Sequence, residues 1–350
     1  MRIKIAFRAD GSNVIGMGHI YNSLAVAEAL QNFPVDVYFI TKSFSEAVAK
    51  IHEAGYQVQE LDVNLSERES FKETIKILKE KKIPILVTDL LEIQNDYSPE
   101  LRKNEIKCIS LDILGKIKLK SDIIINRTTI SKRFEQYDKN QPTKYYLGLK
   151  YVPLRKEFLG LEKELRQNKP KVENILLCFG GGDEYNLSAR IAWILGRFPG
   201  IKTTIVLGAA FKLEEELQEI IAELPNKPTI IKDTKEMKSL FLENDLAICA
   251  GGSILYELAI TGTPALIIPM NDHQVENAEE FKKFGSVISV DLHTEMEDQD
   301  IQSAIEKSLD PQLRKNLSMA GKVITDGRGA ERVAEIIYAF ILEKGLIQNE

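Results

Sequence analysis

The sequence specifies an α/β protein made of two doubly wound parallel sheets, and three observations carry that expectation. Short apolar, β-branched runs alternate with helical patterns from one end of the chain to the other, as parallel strands joined by crossover helices require. A polar stretch, GLEKELRQNKPKVEN at 160–174, divides the alternation into two similar halves. Three turns carry glycine between a strand and a helix: Gly16 and Gly18 in the first half, then Gly180, Gly181 and Gly182, then Gly251 and Gly252 in the second. At 350 residues the chain exceeds one typical domain, and two of about 150 to 180 residues are expected.

In the first half, strands are expected at 3–7, 36–40, 83–89, 108–112 and 122–126, with helices such as 18–30 and 71–81 between them. The second half repeats the plan with strands at 175–179, 203–207, 229–231, 246–249, 265–268 and 287–290. Helices such as 187–197, 214–224, 253–261 and 276–284 separate these. After residue 326, GRGAERVAEIIYAFILEKG reads as one last amphipathic helix with no strand behind it. The domains are therefore placed at 1–165 and 166–328, with the closing helix at 329–350, and the two sheets are expected to face each other across a cleft.

Composition excludes several classes of function. The 46 Lys and Arg residues against 52 Asp and Glu give a formal charge of −6, so no nucleic-acid partner is expected, because such proteins present a basic face. Cys108, Cys178 and Cys249 stand far apart with no C-x-x-C pair, which suits buried thiols rather than a disulfide or a metal site. MRIKIAFRAD reads as a strand rather than a signal segment. No run reaches the roughly 18 apolar residues of a spanning helix, so a cytoplasmic monomer without stable membrane association is expected.

Glycine after a strand lets backbone approach a phosphate, and the helix start beyond it offers free N–H groups and a positive dipole end. Tight turn geometry alone also demands glycine there. No G-x-x-x-x-G-K-[ST] loop is present, and Gly16-Met17-Gly18 lacks the third glycine of a dinucleotide fingerprint. ATP hydrolysis and hydride transfer therefore lose ground. In CAGGSILYELAITGTPALIIP, residues 249–269, Ser253 is placed to cap the helix, and the N–H groups of Gly252 and Ser253 to hold an anion. Glu257, one helical turn on, is placed to accept two hydroxyl hydrogen bonds, as a ribose demands, or is simply a surface glutamate. His19, at the start of the first helix, reads either as a cap or as a group with chemistry to do.

The combination of RADGSNVIGMGH, YYLGLKYVPLRKEF, LCFGGGDEYN, AGGSILYELAITGTPALIIP and DHQVENA resembles the hydrolases of pseudaminic acid biosynthesis. These enzymes remove UDP from UDP-2,4-diacetamido-2,4,6-trideoxy-β-L-altropyranose. The family is related to the spore-coat polysaccharide proteins and to the UDP-GlcNAc transferase of peptidoglycan synthesis. The resemblance implies a two-domain GT-B fold, in which the last helix crosses back to the first domain. It implies that Gly180, Gly181, Gly182, Gly252 and Ser253 lie near the pyrophosphate, Glu257 on the ribose, and Gln274 and Asn277 near the sugar or phosphate. His19 falls at the position of the family's catalytic histidine, with Asp10 placed to orient it or the sugar, and Gly16, Gly18, Tyr21 and Asn22 beside the sugar.

A base with a pKa near 7 suits water attack at an anomeric carbon, and the dipole at a helix start favours a neutral imidazole. This division of labour calls for no metal and no cofactor; Asp298 and Asp300, the only D-x-D, read as a solvated helix start. Two departures fall on the sugar side. Asn22 stands where the family has arginine, and its aspartate pair is reduced to Asp112 followed by Ile113. The leading expectation is a UDP-sugar hydrolase with His19 as base. The alternatives are a glycosyltransferase of the same fold and a sugar-nucleotide-binding protein without turnover.

Overall fold

The computed structural model describes residues 2–346 except 14, 129, 136, 138–141 and 162–165. They divide into two compact units, Met1–Lys156 with Arg328–Glu350, and Glu157–Gly327.

The first unit holds strands β1 (Ile3–Ala9), β2 (Val35–Lys42), β3 (Gln57–Leu61), β4 (Ile85–Asp89), β5 (Lys107–Asp112), β6 (Ile123–Asn126) and β7 (Lys144–Leu147). Its helices are α1 (Gly18–Leu30), α2 (Ser45–Glu53), α3 (Glu67–Glu80), α4 (Ser98–Lys103) and, from the end of the chain, α12 (Gly329–Glu343). The strands pair in the order β3-β2-β1-β4-β5-β6-β7, parallel throughout. Strands β4 and β6 are buried at every residue, because helices cover both faces of a parallel sheet; hence both open on unbroken apolar runs, ILV and III, before polar residues close them. The edge strands β3 and β7 are partly exposed. QVQEL carries too little apolar character, and KYYL is too short, to be read as strands from sequence.

Helix α12 joins the core formed by β1 and α1. Val333, Ala334, Ile337, Phe340 and Ile341 are buried there with Ile5, Phe7 and Val26, and Tyr338 stacks on Phe33 at 4.6 Å. Each large apolar side chain so buried contributes roughly 1.5–3 kcal/mol. The start of α12 lies against the segment that follows β7: a Cβ on Gly329 would sit 1.9 Å from the carbonyl oxygen of Val152. Gly329→Ala is expected to destabilise the protein by about 1–3 kcal/mol through forced backbone displacement, a change that urea unfolding measures directly.

The second unit holds β8 (Asn174–Cys178), β9 (Lys202–Leu207), β10 (Thr229–Lys232), β11 (Leu246–Cys249), β12 (Ala265–Ile267) and β13 (Ile288–Ser289). Between and after them run α5 (Leu187–Leu195), α6 (Glu214–Glu223), α7 (Met237–Glu243), α8 (Ile254–Thr261), α9 (Asp272–Lys283), α10 (Asp298–Ser308) and α11 (Pro311–Gly321). The order is β10-β9-β8-β11-β12-β13, again parallel. The unit begins at Glu157, ahead of the polar stretch at 160–174. Phe158 is fully buried against Phe241, and the Arg166 guanidinium donates to the carbonyl oxygens of Phe241 and Asn244 and to the Thr263 hydroxyl. Arg166 thereby fastens this polar stretch to the end of α7 and to Thr263 ahead of β12, which composition alone does not reveal.

In each sheet the winding reverses once, at β1/β4 and at β8/β11. In open α/β sheets ligands bind beyond the carboxyl ends of the strands at such reversals. The three cysteines are buried, and none forms a disulfide among the described residues. Among the described residues no helix is long and apolar enough to cross a membrane.

Candidate functional site

At the reversal of the first sheet, the chain leaves β1 and turns through 11–17 before α1. Ser12 and Gly16 form an antiparallel bridge that Gly16 closes at φ +71°, a conformation that a Cβ would strain. Met17 is the N-cap residue of α1, without a side-chain cap. His19 is therefore not the cap. Its Nδ1 lies 2.7 Å from Oδ1 of Asp89, the last residue of β4, which pairs with Ala9 of β1.

Asp89 is fully buried and is held from three sides. Besides His19, it accepts from the Ser23 hydroxyl at 3.3 Å and from Nη2 of Arg127, at 3.1 Å to Oδ1 and 3.5 Å to Oδ2. Ser23 is four residues beyond His19 on α1, hence on the same helix face. Burial alone would push the Asp89 carboxyl up; the Arg127 guanidinium, and then His19, outweigh it and hold the group below its ordinary value. An ionised carboxylate only accepts, so the His19 ring proton is assigned to Nδ1. No described residue hydrogen-bonds Nε2, the nitrogen that carries the lone pair when the ring is neutral.

Asp10 is engaged elsewhere. Its carboxylate takes both Arg8 Nη groups, Nη2 at 2.8 Å, and the backbone N–H of Lys42 at 2.8 Å. The carboxylate that orients His19 is thus Asp89 rather than Asp10, because Asp10 leans toward β2 while Asp89 ends the strand on the other side of the reversal. Tyr21 packs against the core of the first unit, and Asn22 is half-buried on α1. Asp112, at the end of β5, accepts from the N–H groups of Leu114 and Gly115 at 3.0 Å each and from the Tyr137 hydroxyl; burial pushes this carboxyl up. A cavity of about 650 Å³ on this unit is lined by Lys116, Lys118, Tyr137 and Tyr145 and does not include His19 or Asp89.

In the second unit the two glycine turns flank the reversal and differ in one respect. After Gly180, Gly181 and Gly182, the Asp183 carboxylate accepts from the N–H groups of Leu187 and Ser188 at 2.8 and 2.9 Å, so the start of α5 already carries an anion. After Gly251 and Gly252 no such carboxylate intervenes, and no described residue accepts from the N–H groups of Gly252 or Ser253. Ser253 is the N-cap residue of α8, yet its side chain makes no capping bond; the expected cap is absent because Ser253 itself has helical φ and ψ, −61° and −19°. It is exposed.

Gln274 and Asn277 brace this turn. The Gln274 Oε1 accepts from the N–H groups of Gly251 at 3.2 Å and Met270 at 2.9 Å, and Asn277 Nδ2 donates to the Gly251 carbonyl at 3.4 Å. Gly251 is required here, since a Cβ would sit 2.6 Å from the Gln274 carbonyl oxygen. Glu257 is half-buried on α8, one turn beyond Ser253. Asp300 accepts from the Glu297 N–H at the start of α10, and Asp298 pairs with Arg190 at 2.8 Å.

Sequence reasoning missed Asp89, Arg127 and Ser23. The available signal was a charged residue closing a buried apolar run, as in ILVTD and in IIIN followed by Arg127. Water cannot solvate a charge in such a place, so a partner must.

Two doubly wound parallel units with glycine turns at their reversals define a GT-B-like protein. Acinetobacter baumannii MurG shares that fold, with a TM-score of 0.65 and 16% identity over 97% of this chain and 100% of its own. Residues 187–336 match the glycosyltransferase family 28 C-terminal domain. Its homologues include the UDP-2,4-diacetamido-2,4,6-trideoxy-beta-L-altropyranose hydrolase of Campylobacter jejuni, 29% identical over 73% of this chain and 87% of that protein. They also include the spore coat polysaccharide biosynthesis protein SpsG of Bacillus subtilis, 27% identical over 94% and 96% of the two chains. An uncharacterized protein of Methanocaldococcus jannaschii is 31% identical over 80% of this chain, which spans 58% of that protein's length.

Proposed function

We propose that this chain is a UDP-sugar hydrolase that cleaves the bond between an anomeric carbon and the β-phosphate oxygen of UDP. The observation that carries the reading is the buried Asp89 carboxylate at 2.7 Å from His19 Nδ1, which leaves Nε2 as a general base at the end of the first sheet. Water attacks the anomeric carbon as His19 Nε2 takes its proton, and the electron pair of the breaking C–O bond departs with UDP. Positioned proton transfer of this kind is worth about 10²- to 10⁴-fold in rate. In the second unit the N–H groups of Gly252 and Ser253 bind the pyrophosphate and offset its growing charge. Gln274 and Asn277 hold that turn in shape through Gly251, and Glu257 receives the ribose hydroxyls. The named activity of the Campylobacter homologue supports an amino-deoxy sugar such as the diacetamido-trideoxy altropyranose as the group released.

The match to a glycosyltransferase domain favours one second reading, transfer of the sugar to an acceptor hydroxyl with His19 in the same role. Incubating the protein with the UDP-altropyranose compound and with UDP-GlcNAc, without acceptor, separates the two. UDP release from the altropyranose compound supports hydrolysis. Release that starts only when an acceptor is added supports transfer. Glu257→Ala is expected to weaken UDP binding about tenfold, the cost of one lost hydrogen bond to a charged group, in a calorimetric titration; unchanged affinity returns Glu257 to the helix surface.

A further inference from the structure

We propose that Arg127 is a positioning residue that keeps the single ring proton of His19 on Nδ1, so that Nε2 stays bare and able to take a proton. The inference deepens the proposed base role of His19 and rests on it.

Asp89 has no exposed surface. A carboxylate out of water persists only where charge and hydrogen bonds replace its hydration. Two helix residues and one strand-end residue do so here. Helix α1 contributes Nδ1 of His19 and the Ser23 hydroxyl. The residue just past β6 contributes Arg127, whose Nη2 reaches both carboxylate oxygens and whose side chain is 4% exposed. Arg127 is thus the one permanent charge touching Asp89 among the described residues, since guanidinium does not deprotonate in proteins.

Without that cation the remaining partners are a hydroxyl and an imidazole, and the buried pair has two ways to settle. In one, Asp89 takes a proton and donates it to Nδ1, which leaves the ring proton of His19 on Nε2. In the other, Asp89 stays charged and His19 holds protons on both nitrogens as its counter-ion. Both outcomes place hydrogen on Nε2 and remove the lone pair that would attack the water proton. Arg127 removes the need for either by neutralising Asp89 through contacts that include the oxygen facing the ring. Nη2 of Arg127, 3.1 Å from Oδ1 and 3.5 Å from Oδ2, also restrains the carboxylate and with it the direction of its hydrogen bond to Nδ1.

The test is a ¹⁵N spectrum of the histidine rings, read independently of turnover. The protein has four histidines, and His19 is assigned by the signals missing from His19→Gln. At pH 7.5 the wild-type ring is expected to show a proton on Nδ1, shifted far downfield by the Asp89 hydrogen bond, and a bare Nε2. Arg127→Gln is expected to carry hydrogen on Nε2 at the same pH, and Arg127→Lys to return it to the bare state by restoring the charge. A bare Nε2 in Arg127→Gln, or a protonated Nε2 in the wild type, overturns the proposal. The wild-type measurement stands even where the glutamine variant does not fold.

With the UDP-sugar as substrate, Arg127→Gln is expected to lower kcat at least tenfold while KM moves less than threefold. A KM change with kcat unaffected also overturns the positioning role. Absence of turnover in the wild type, with the expected ring spectra intact, refutes the proposed reaction and leaves the charge arrangement standing.

Discussion

His19→Ala is expected to lower the rate of UDP release by about 10²- to 10⁴-fold, with the affinity for UDP unchanged within about threefold. The loss corresponds to about 3 to 5 kcal/mol of transition-state stabilisation. The two effects separate because the N–H groups and carboxylate proposed to hold UDP belong to the second unit, whereas His19 belongs to the first. Initial rates of UDP release and a calorimetric UDP titration on the same preparation measure both. Imidazole Nδ1 also gives Asp89 a hydrogen bond, so the alanine variant is expected to melt at a lower temperature. The catalytic reading is tested by the rate below the transition, not by the melting point. A variant that keeps a third of the wild-type rate returns His19 to a packing role.

Asp89→Asn is the second large effect, and it acts on both chemistry and stability. The asparagine amide donates where the carboxylate accepted, so Nδ1 becomes the acceptor and hydrogen moves to Nε2. In serine proteases the same exchange costs about 10⁴-fold, and a loss on the order of 10³-fold is expected here. The variant also removes the buried ion pair between Asp89 and Arg127, and breaking such a pair destabilises by about 3–5 kcal/mol. The pH dependence has a definite sign. Asp89 is held below its ordinary value, so the stability that its ionisation contributes is complete above about pH 5. It is lost as the pH falls through the lower folded value. The difference in unfolding free energy between wild type and Asp89→Asn is therefore expected to stay level from pH 8 to about pH 5 and to shrink below that. A difference independent of pH down to pH 3 contradicts the assigned charge state.

The candidate site was only half legible in the sequence, and the two halves differ for a physical reason. Gly251, Gly252, Ser253, Glu257, Gln274 and Asn277 lie within one αβα stretch, where the spacing of a turn, a helix and the next strand brings them together locally. Their contacts are set by tertiary packing: Gln274 binds the turn through Gly251, and Ser253 does not cap its helix. In the first unit the partners of His19 come from residues 89 and 127, ends of strands far along the chain. A reading confined to neighbours in sequence turned to Asp10, which stands nearest the histidine but is satisfied by Arg8 and Lys42.

The sequence by itself determined the layering of the protein, because apolar runs of strand length between amphipathic helices can bury their surface only in parallel sheets covered on both faces. It determined as well where backbone must come close to something, through glycines whose turns leave no room for a side chain. Tertiary structure alone decided which charges meet. Strand order brings Asp89 beside the start of α1 and Arg127 behind it, and neither residue's hydrogen bonds follow from its neighbours in the chain. A buried ion pair is specified by the geometry of strand ends, while burial itself is specified by the pattern of side chains.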